Sequence, residues 1–139
     1  MSVDPFASAA AGAVVRTDMR AGATANRLRH AGWRVSTMRD GGVTHAQVLA
    51  AIGRALTFPD HYGQNLDALW DCLTDLTEPT ALVWSDWQDA AVADPGDWAR
   101  IMQVLRERTD EEPAFALVLC APDLDDDGKP DGWFDQPFD

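Results

Sequence analysis

The stretch "HYGQNLDALWDCLTDL" (residues 61–76) predicts a short amphipathic helix with an unusual polar face. Asn65 suits the N-cap position, because its side-chain oxygen can accept a hydrogen bond from an amide of the first turn. Four leucines at helical spacing predict the buried face: Leu66, Leu69, Leu73 and Leu76. The opposite face carries Asp67, Trp70, Asp71 and Thr74. The helix therefore combines acidic and aromatic side chains on the face that points away from the core.

Three aspartates of this helix, Asp67, Asp71 and Asp75, follow one another at intervals of one turn. Like charges at this spacing repel one another by roughly a few tenths of a kcal/mol per pair. Asp67 lies near the positive end of the helix dipole, which offsets part of the repulsion, whereas Asp75 lies near the negative end. A cationic partner would offset the repulsion more fully. The spacing by itself is also that of an ordinary amphipathic helix whose polar face is merely acidic, so these residues leave both interpretations open.

Before this helix, the chain alternates candidate strands and helices. "AVVRTD" (13–18) is a possible strand, "AGATANRLRHAG" (21–32) predicts a helix closed by Gly32, and "WRVSTM" (33–38) alternates like a strand. Thr44 and Gln47 match a capping box for a further helix, which ends before Pro59.

After the acidic helix, "TALVWS" (80–85) and "AFALVLC" (114–120) are apolar enough for strands covered on both faces. Between them we predict a short helix over 87–93 and a longer one from Pro95 to about Arg108. Strands that alternate with helices favour a parallel sheet. We therefore predict an α/β fold with a small parallel three-stranded sheet and one possible added N-terminal strand.

Composition limits the function classes. The chain has 139 residues, 46% hydrophobic residues, six tryptophans and a net charge of −12, which argues against disorder and against a nucleic-acid-binding surface. Cys72 and Cys120 have no metal-ligand spacing and form no disulfide framework, so we expect reduced thiols. The N-terminus lacks a basic region and no apolar run reaches membrane length, so we expect a cytoplasmic protein.

An enzymatic function is not expected from these residues. The three histidines are scattered, no serine or cysteine has an evident base partner, and there is no phosphate loop or dinucleotide fingerprint, so we expect neither catalysis nor a cofactor. In the tail, Asp123, Asp125, Asp127 and Asp131 fit the spacing of a calcium loop, which begins D-x-D-x-D-G. Phe134 stands where a complete loop has its bidentate glutamate, so a solvated acidic tail is the preferred interpretation.

The longer stretch "FPDHYGQNLDALWDCLTDL" (58–76) closely resembles the signature of the barstar family, the intracellular inhibitors of secreted bacterial ribonucleases. The resemblance extends more weakly over residues 33–120, which we expect to form a barstar-like domain. Residues 1–32 would be an N-terminal extension and residues 121–139 an acidic C-terminal tail. In that family the acidic helix and the loop before it plug the cationic active site of the ribonuclease.

The resemblance implies a partner-binding surface formed by His61, Gly63, Asn65, Asp67, Trp70, Asp71, Thr74, Asp75 and Glu107. Asp71 resembles the carboxylate that occupies the position of an RNA phosphate, and Asp67 resembles a second acid against the basic site. Trp70 would be part of the inhibitory face, Gly63 would permit close backbone approach, and Thr74 would supply a peripheral hydrogen bond.

Three members of this surface depart from the family pattern or lie outside the quoted motif. His61 stands where the family commonly has an aromatic residue that stacks on the nuclease, and Asp75 departs from the best-known member, which has glycine there. Glu107, near the end of a later predicted helix, resembles a further acidic contact. The implied function is that of an antitoxin or immunity protein against a basic secreted ribonuclease. The alternative is a module of the same fold that binds another basic protein, such as a non-ribonuclease toxin.

Overall fold

A computed structural model describes residues 13–39, 42–59, 63 and 65–121 of the chain. Its four strands are β1 (Ala13–Arg20), β2 (Arg34–Met38), β3 (Thr80–Trp84) and β4 (Phe115–Ala121). Its five helices are α1 (Ala21–His30), α2 (His45–Ala55), α3 (Leu66–Thr74), α4 (Gln88–Ala93) and α5 (Pro95–Arg108).

The four strands form one parallel sheet in the order β1-β4-β3-β2. The predicted α/β fold is therefore confirmed, including the parallel direction of the three strands expected around residues 33–38, 80–85 and 115–119. The possible N-terminal strand is also present, and it pairs with β4, so that it adds a fourth strand at the edge of the sheet. Since β3 and β4 are central, every residue of β3 is buried.

The two faces of the sheet bury separate apolar clusters. On β4, Phe115, Leu117 and Leu119 belong to one cluster, which α2, α3 and α5 cover, while Ala116 and Val118 belong to the other. This alternation follows from the two-residue period of a strand. Helix α1 covers the second face through Ala21 and Leu28 together with Trp33. The N-terminal strand and helix thus share the sheet's hydrophobic core.

The C-terminus of α1 is closed by a Schellman motif at Gly32. Gly32 has a φ of +97°, a left-handed conformation that glycine adopts without steric cost. The Trp33 amide donates to the Leu28 carbonyl at 3.0 Å, and the Gly32 amide donates to the Arg29 carbonyl at 3.1 Å. The predicted helix end is therefore confirmed, and it directs the chain into β2.

The N-termini of α2 and α5 are capped by side chains. The Thr44 hydroxyl accepts from the Gln47 amide at 3.2 Å, and the Gln47 side chain accepts from the Thr44 amide at 3.1 Å. This is the predicted capping box. At α5, Asp94 accepts a hydrogen bond from the Asp97 amide, and Pro95 occupies the first helical turn as predicted. No helix in the described part of the chain is both long enough and apolar enough to cross a membrane.

Candidate functional site

Helix α3 begins where its sequence predicts. The Asn65 side-chain oxygen accepts a hydrogen bond from the Ala68 amide at 2.8 Å, and Leu66 is the first helical residue. The side-chain nitrogen of Asn65, Nδ2, also donates to the Gly63 carbonyl at 3.4 Å, which connects the preceding loop to the cap. A Cβ at Gly63 would lie 3.1 Å from that nitrogen, so the Asn65 side chain would have to shift by a few tenths of an ångström to accommodate it.

The buried and exposed faces of α3 match their prediction. Leu69 and Leu73 are fully buried in the core. Leu66 and Leu76 are half-buried and pack against the same cluster. On the opposite face, Asp67, Asp71 and Thr74 are exposed and Trp70 is half-buried. The acidic side chains therefore lie on the solvent-facing side, with an aromatic ring among them.

Packing of α3 against α5 creates an open cleft of about 500 Å³, which we call the α3–α5 cleft. It is lined by Leu66, Asp67, Trp70, Asp71, Val104 and Glu107. Glu107 comes from α5, so tertiary packing brings a third carboxylate to the two that α3 supplies. The cleft has an apolar floor and three acidic groups at its surface.

None of these three carboxylates is paired with a cation among the described residues. Asp67, Asp71 and Glu107 form no ion pair within 4.0 Å, although other surface acids do, such as Glu78 with Arg34. The pKa of the neighbouring Cys72 thiol is raised by burial and further by the charges of Asp75 and Asp71. The cleft is therefore a region of uncompensated negative charge.

Three further members of the predicted partner-binding surface are Thr74, Asp75 and His61. The first two lie at the C-terminal end of α3. The Thr74 hydroxyl donates to the Asp71 carbonyl at 2.8 Å, so it stabilises the last turn of α3 while its oxygen stays exposed. Asp75 is the C-cap residue, and it lies at the negative end of the helix dipole as predicted. His61 lies outside the described residues.

Sequence reasoning missed Arg108, which holds the two helices together. Its side chain is completely buried: Nε donates to the Leu73 carbonyl at 2.8 Å and Nη1 donates to the Glu111 carbonyl at 3.1 Å. Burial lowers the pKa of the guanidinium, and Glu111 opposes that shift. A cation near the C-terminus of α3 also complements the helix dipole. An arginine in the last turn of an exposed helix is ordinary, so no sequence signal distinguishes this one.

Within the residues that the structure describes, no group of three or more histidine, cysteine or acidic side chains could hold a metal ion. The aspartates of the calcium-loop-like stretch at 123–131 lie outside those residues.

The chain belongs to the barstar family. Residues 36–120 match the family model described as "Barstar (barnase inhibitor)", and this match contains the whole α3–α5 cleft. The chain is also similar to a Bacillus subtilis (strain 168) protein named "Putative ribonuclease inhibitor YrdF". The two are 39% identical over 67 residues, which are 46% of this chain and 72% of the relative. Strand β1 and helix α1 precede the residues that the family model matches.

Proposed function

We propose that this protein inhibits a bacterial ribonuclease by placing the acidic face of α3 in the enzyme's active site. The observation that carries the proposal is the α3–α5 cleft, where Asp67, Asp71 and Glu107 stand exposed without a cationic partner among the described residues. Membership of a family described as barnase inhibitors, and a relative named as a ribonuclease inhibitor, support the same function.

The chemistry of the target explains this arrangement. A ribonuclease active site must hold a phosphate of RNA, so it concentrates arginine, lysine and histidine. A carboxylate in the phosphate position accepts charge-assisted hydrogen bonds from those side chains. We assign that role to Asp71, in the middle of the exposed face, and we assign the flanking contacts to Asp67 and Glu107. Trp70 would add apolar contact area beside them.

The remaining members of the surface would set its fit to a particular enzyme. Gly63 and Asn65 shape the loop that leads into α3, while Thr74, Asp75 and His61 would contact the rim of the active site. In this proposal the protein acts stoichiometrically as a cytoplasmic antitoxin or immunity protein, with no cofactor and no turnover. Its partner would be a basic secreted ribonuclease.

The test is inhibition of purified basic bacterial ribonucleases, barnase among them, measured by cleavage of a fluorogenic RNA. The parent protein should abolish cleavage by at least one enzyme at a one-to-one ratio. Asp71→Ala should weaken binding by about 3–5 kcal/mol, because the enzyme's charges would be left buried and unpaired. Since Asp71 is exposed, the same change should alter the free energy of unfolding by less than about 0.5 kcal/mol.

Asp18→Ala is the matched control, because it removes an exposed aspartate from β1, outside the α3–α5 cleft. It should inhibit as the parent does. Equal inhibition by Asp71→Ala and the parent would show that the phosphate-mimic role is wrong. A protein that binds a basic toxin without affecting RNA cleavage would instead identify the alternative, a barstar-like module directed at a non-ribonuclease target.

A further inference from the structure

A second cleft lies on the other side of α5, between that helix and the edge strand β1. We call it the β1–α5 cleft, and its volume is about 330 Å³. Its apolar lining residues are Val14, Val15, Met102 and Leu119, and Trp98 is half-exposed within it. Two arginines complete the lining, Arg16 from β1 and Arg106 from α5. It shares no lining residue with the α3–α5 cleft.

One tryptophan, Trp98, lines this cleft, and the buried rings of Trp84 and Trp87 pack against it from the core. The rings of Trp87 and Trp98 are stacked with centroids 5.9 Å apart, and Trp84 lies 5.5 Å from Trp98. The Arg16 guanidinium lies 5.2 Å from the centroid of Trp87. Such a surface favours a ligand that has both an aromatic ring and negative charge.

Both arginines of the cleft lack a carboxylate partner among the described residues. Neither Arg16 nor Arg106 forms an ion pair there, and both are exposed. Both arginines lie beside the apolar lining of the cleft. Their charge suits an acidic occupant.

We infer that residues 122–139 of this chain dock into the β1–α5 cleft, which would be their intramolecular binding site. This segment contains seven aspartates and one lysine, and it ends with three aromatic residues, Trp133, Phe134 and Phe138. Its composition thus complements both the arginines and the half-exposed ring of Trp98. Residues 1–12 have one aspartate and no basic residue, so they match the cleft poorly.

The position at which the segment leaves the fold supports docking within one molecule. Ala121, the last residue of β4, pairs with Arg20 of β1, and Leu119 of the same strand already lines the cleft. The segment therefore starts three residues, or roughly 10 Å, after Leu119. Gly128, Pro130 and Gly132 allow the chain to reverse direction and return with its aromatic residues. Tethering makes such binding effectively intramolecular, so modest contacts suffice.

The consequence of docking would be electrostatic. Arg106 is adjacent in sequence to Glu107, which lines the α3–α5 cleft. Covering Arg106 with carboxylates would remove a positive charge from the neighbourhood of the acidic surface. Docking of residues 122–139 would occur whether or not the protein inhibits a ribonuclease, and it can be measured without a partner protein.

The experiment is fluorine NMR of the full chain labelled with 5-fluorotryptophan, with Trp133 assigned through Trp133→Phe. In the parent, the Trp133 signal should be shifted and broadened relative to the labelled peptide 122–139 in isolation. The double variant Arg16→Gln/Arg106→Gln should return the signal to the peptide position. The matched control Arg29→Gln/Arg54→Gln removes two other exposed arginines and should leave it unchanged.

A tail variant, Asp125→Asn/Asp126→Asn/Asp127→Asn, tests the same contact without altering the folded core, and it should also move the signal toward the peptide position. Four results would overturn the inference. The first two are a Trp133 signal in the parent identical to that of the peptide, and a Trp133 shift that persists in Arg16→Gln/Arg106→Gln. The third is an equal change of the Trp133 signal in the control variant Arg29→Gln/Arg54→Gln. The fourth is a Trp133 shift that disappears when the protein is diluted. The last would indicate docking onto a second copy.

Discussion

At the scale of single residues, Arg108 shows how a charged side chain can serve as a structural residue. Its guanidinium lies over the ring of Phe115 at 5.9 Å and contacts the Leu73 and Glu111 carbonyls. Burial opposes the charge, which is why its pKa is lowered. Hydrogen bonds from Nε and Nη1 to the carbonyls compensate in part, while Nη2 is buried without a hydrogen-bond partner among the described residues. Arg108 thus connects the end of α5 to the last turn of the helix that carries the proposed site.

Arg108→Ala and Arg108→Met separate the two contributions of this side chain. The alanine variant loses both the hydrogen bonds and the packing of the stem, so we expect a loss of about 2–5 kcal/mol in the free energy of unfolding. The methionine variant keeps most of the packing and no longer buries a charge, so its loss should be smaller. Urea denaturation measures both values. Equal losses would show that the hydrogen bonds, rather than packing, dominate.

At the scale of elements, α3 and α2 offer a matched pair of N-caps. Asn65 caps the helix with the proposed binding face, and Thr44 caps a helix outside the α3–α5 cleft. Asn65→Ala and Thr44→Ala should each lower the free energy of unfolding by about 1 kcal/mol. Only Asn65→Ala should also weaken inhibition of the ribonuclease, because fraying would displace Asp67.

Thermal or urea denaturation and inhibition titrations, run on both variants, check this expectation. If the two variants inhibit equally well, the order of the first turn of α3 does not matter for binding. If both inhibit poorly, the inhibition depends on global stability rather than on the cap itself.

The N-terminus of α5 predicts a dependence of stability on pH. The hydrogen bond from the Asp97 amide is the main cause that lowers the pKa of Asp94 below its ordinary value of 3.8. When folding lowers the pKa of a carboxyl group, the ionised group stabilises the fold at pH values above its pKa in the unfolded state. This stabilisation is lost as the pH falls through the pKa in the folded state. The contribution of Asp94 to the free energy of unfolding should therefore be present at neutral pH and decline below about pH 4.

Asp94→Asn tests this, because asparagine can still cap a helix but does not titrate in this range. The parent should be more stable than the variant at neutral pH, and the difference should shrink on acidification. Urea denaturation at a series of pH values measures it. A difference that stays constant down to pH 3 would contradict the role assigned to the ionised carboxylate.

At the scale of the whole molecule, the net charge of −12 should control the rate of association with a basic partner. Electrostatic attraction raises such rates by about 10- to 1000-fold, and salt screens it. Stopped-flow measurements should therefore show an association rate that falls steeply with ionic strength, while the dissociation rate changes little. Asp75→Ala, at the end of α3, should lower the association rate and its salt dependence more than it changes dissociation. A rate independent of salt would contradict electrostatic steering.

The sequence by itself determined the elements, their order and the two faces of α3. Helix spacing, N-caps and the closing Gly32 are local signals, because each depends on residues within about one turn. Alternation of strands and helices then favoured a parallel sheet, which is the sheet observed. The resemblance of residues 58–76 to the barstar family identified the family to which the chain belongs.

Only the tertiary structure decided which distant residues meet. It joined Glu107 to Asp67 and Asp71, buried Arg108 beneath the end of α3, and set β1 beside β4 with Arg16 next to a tryptophan stack. These contacts depend on how helices and strands pack across long sequence separations. The physical reason is that an arginine or glutamate on a helix surface has the same local pattern whether it faces solvent, a carbonyl or a neighbouring helix.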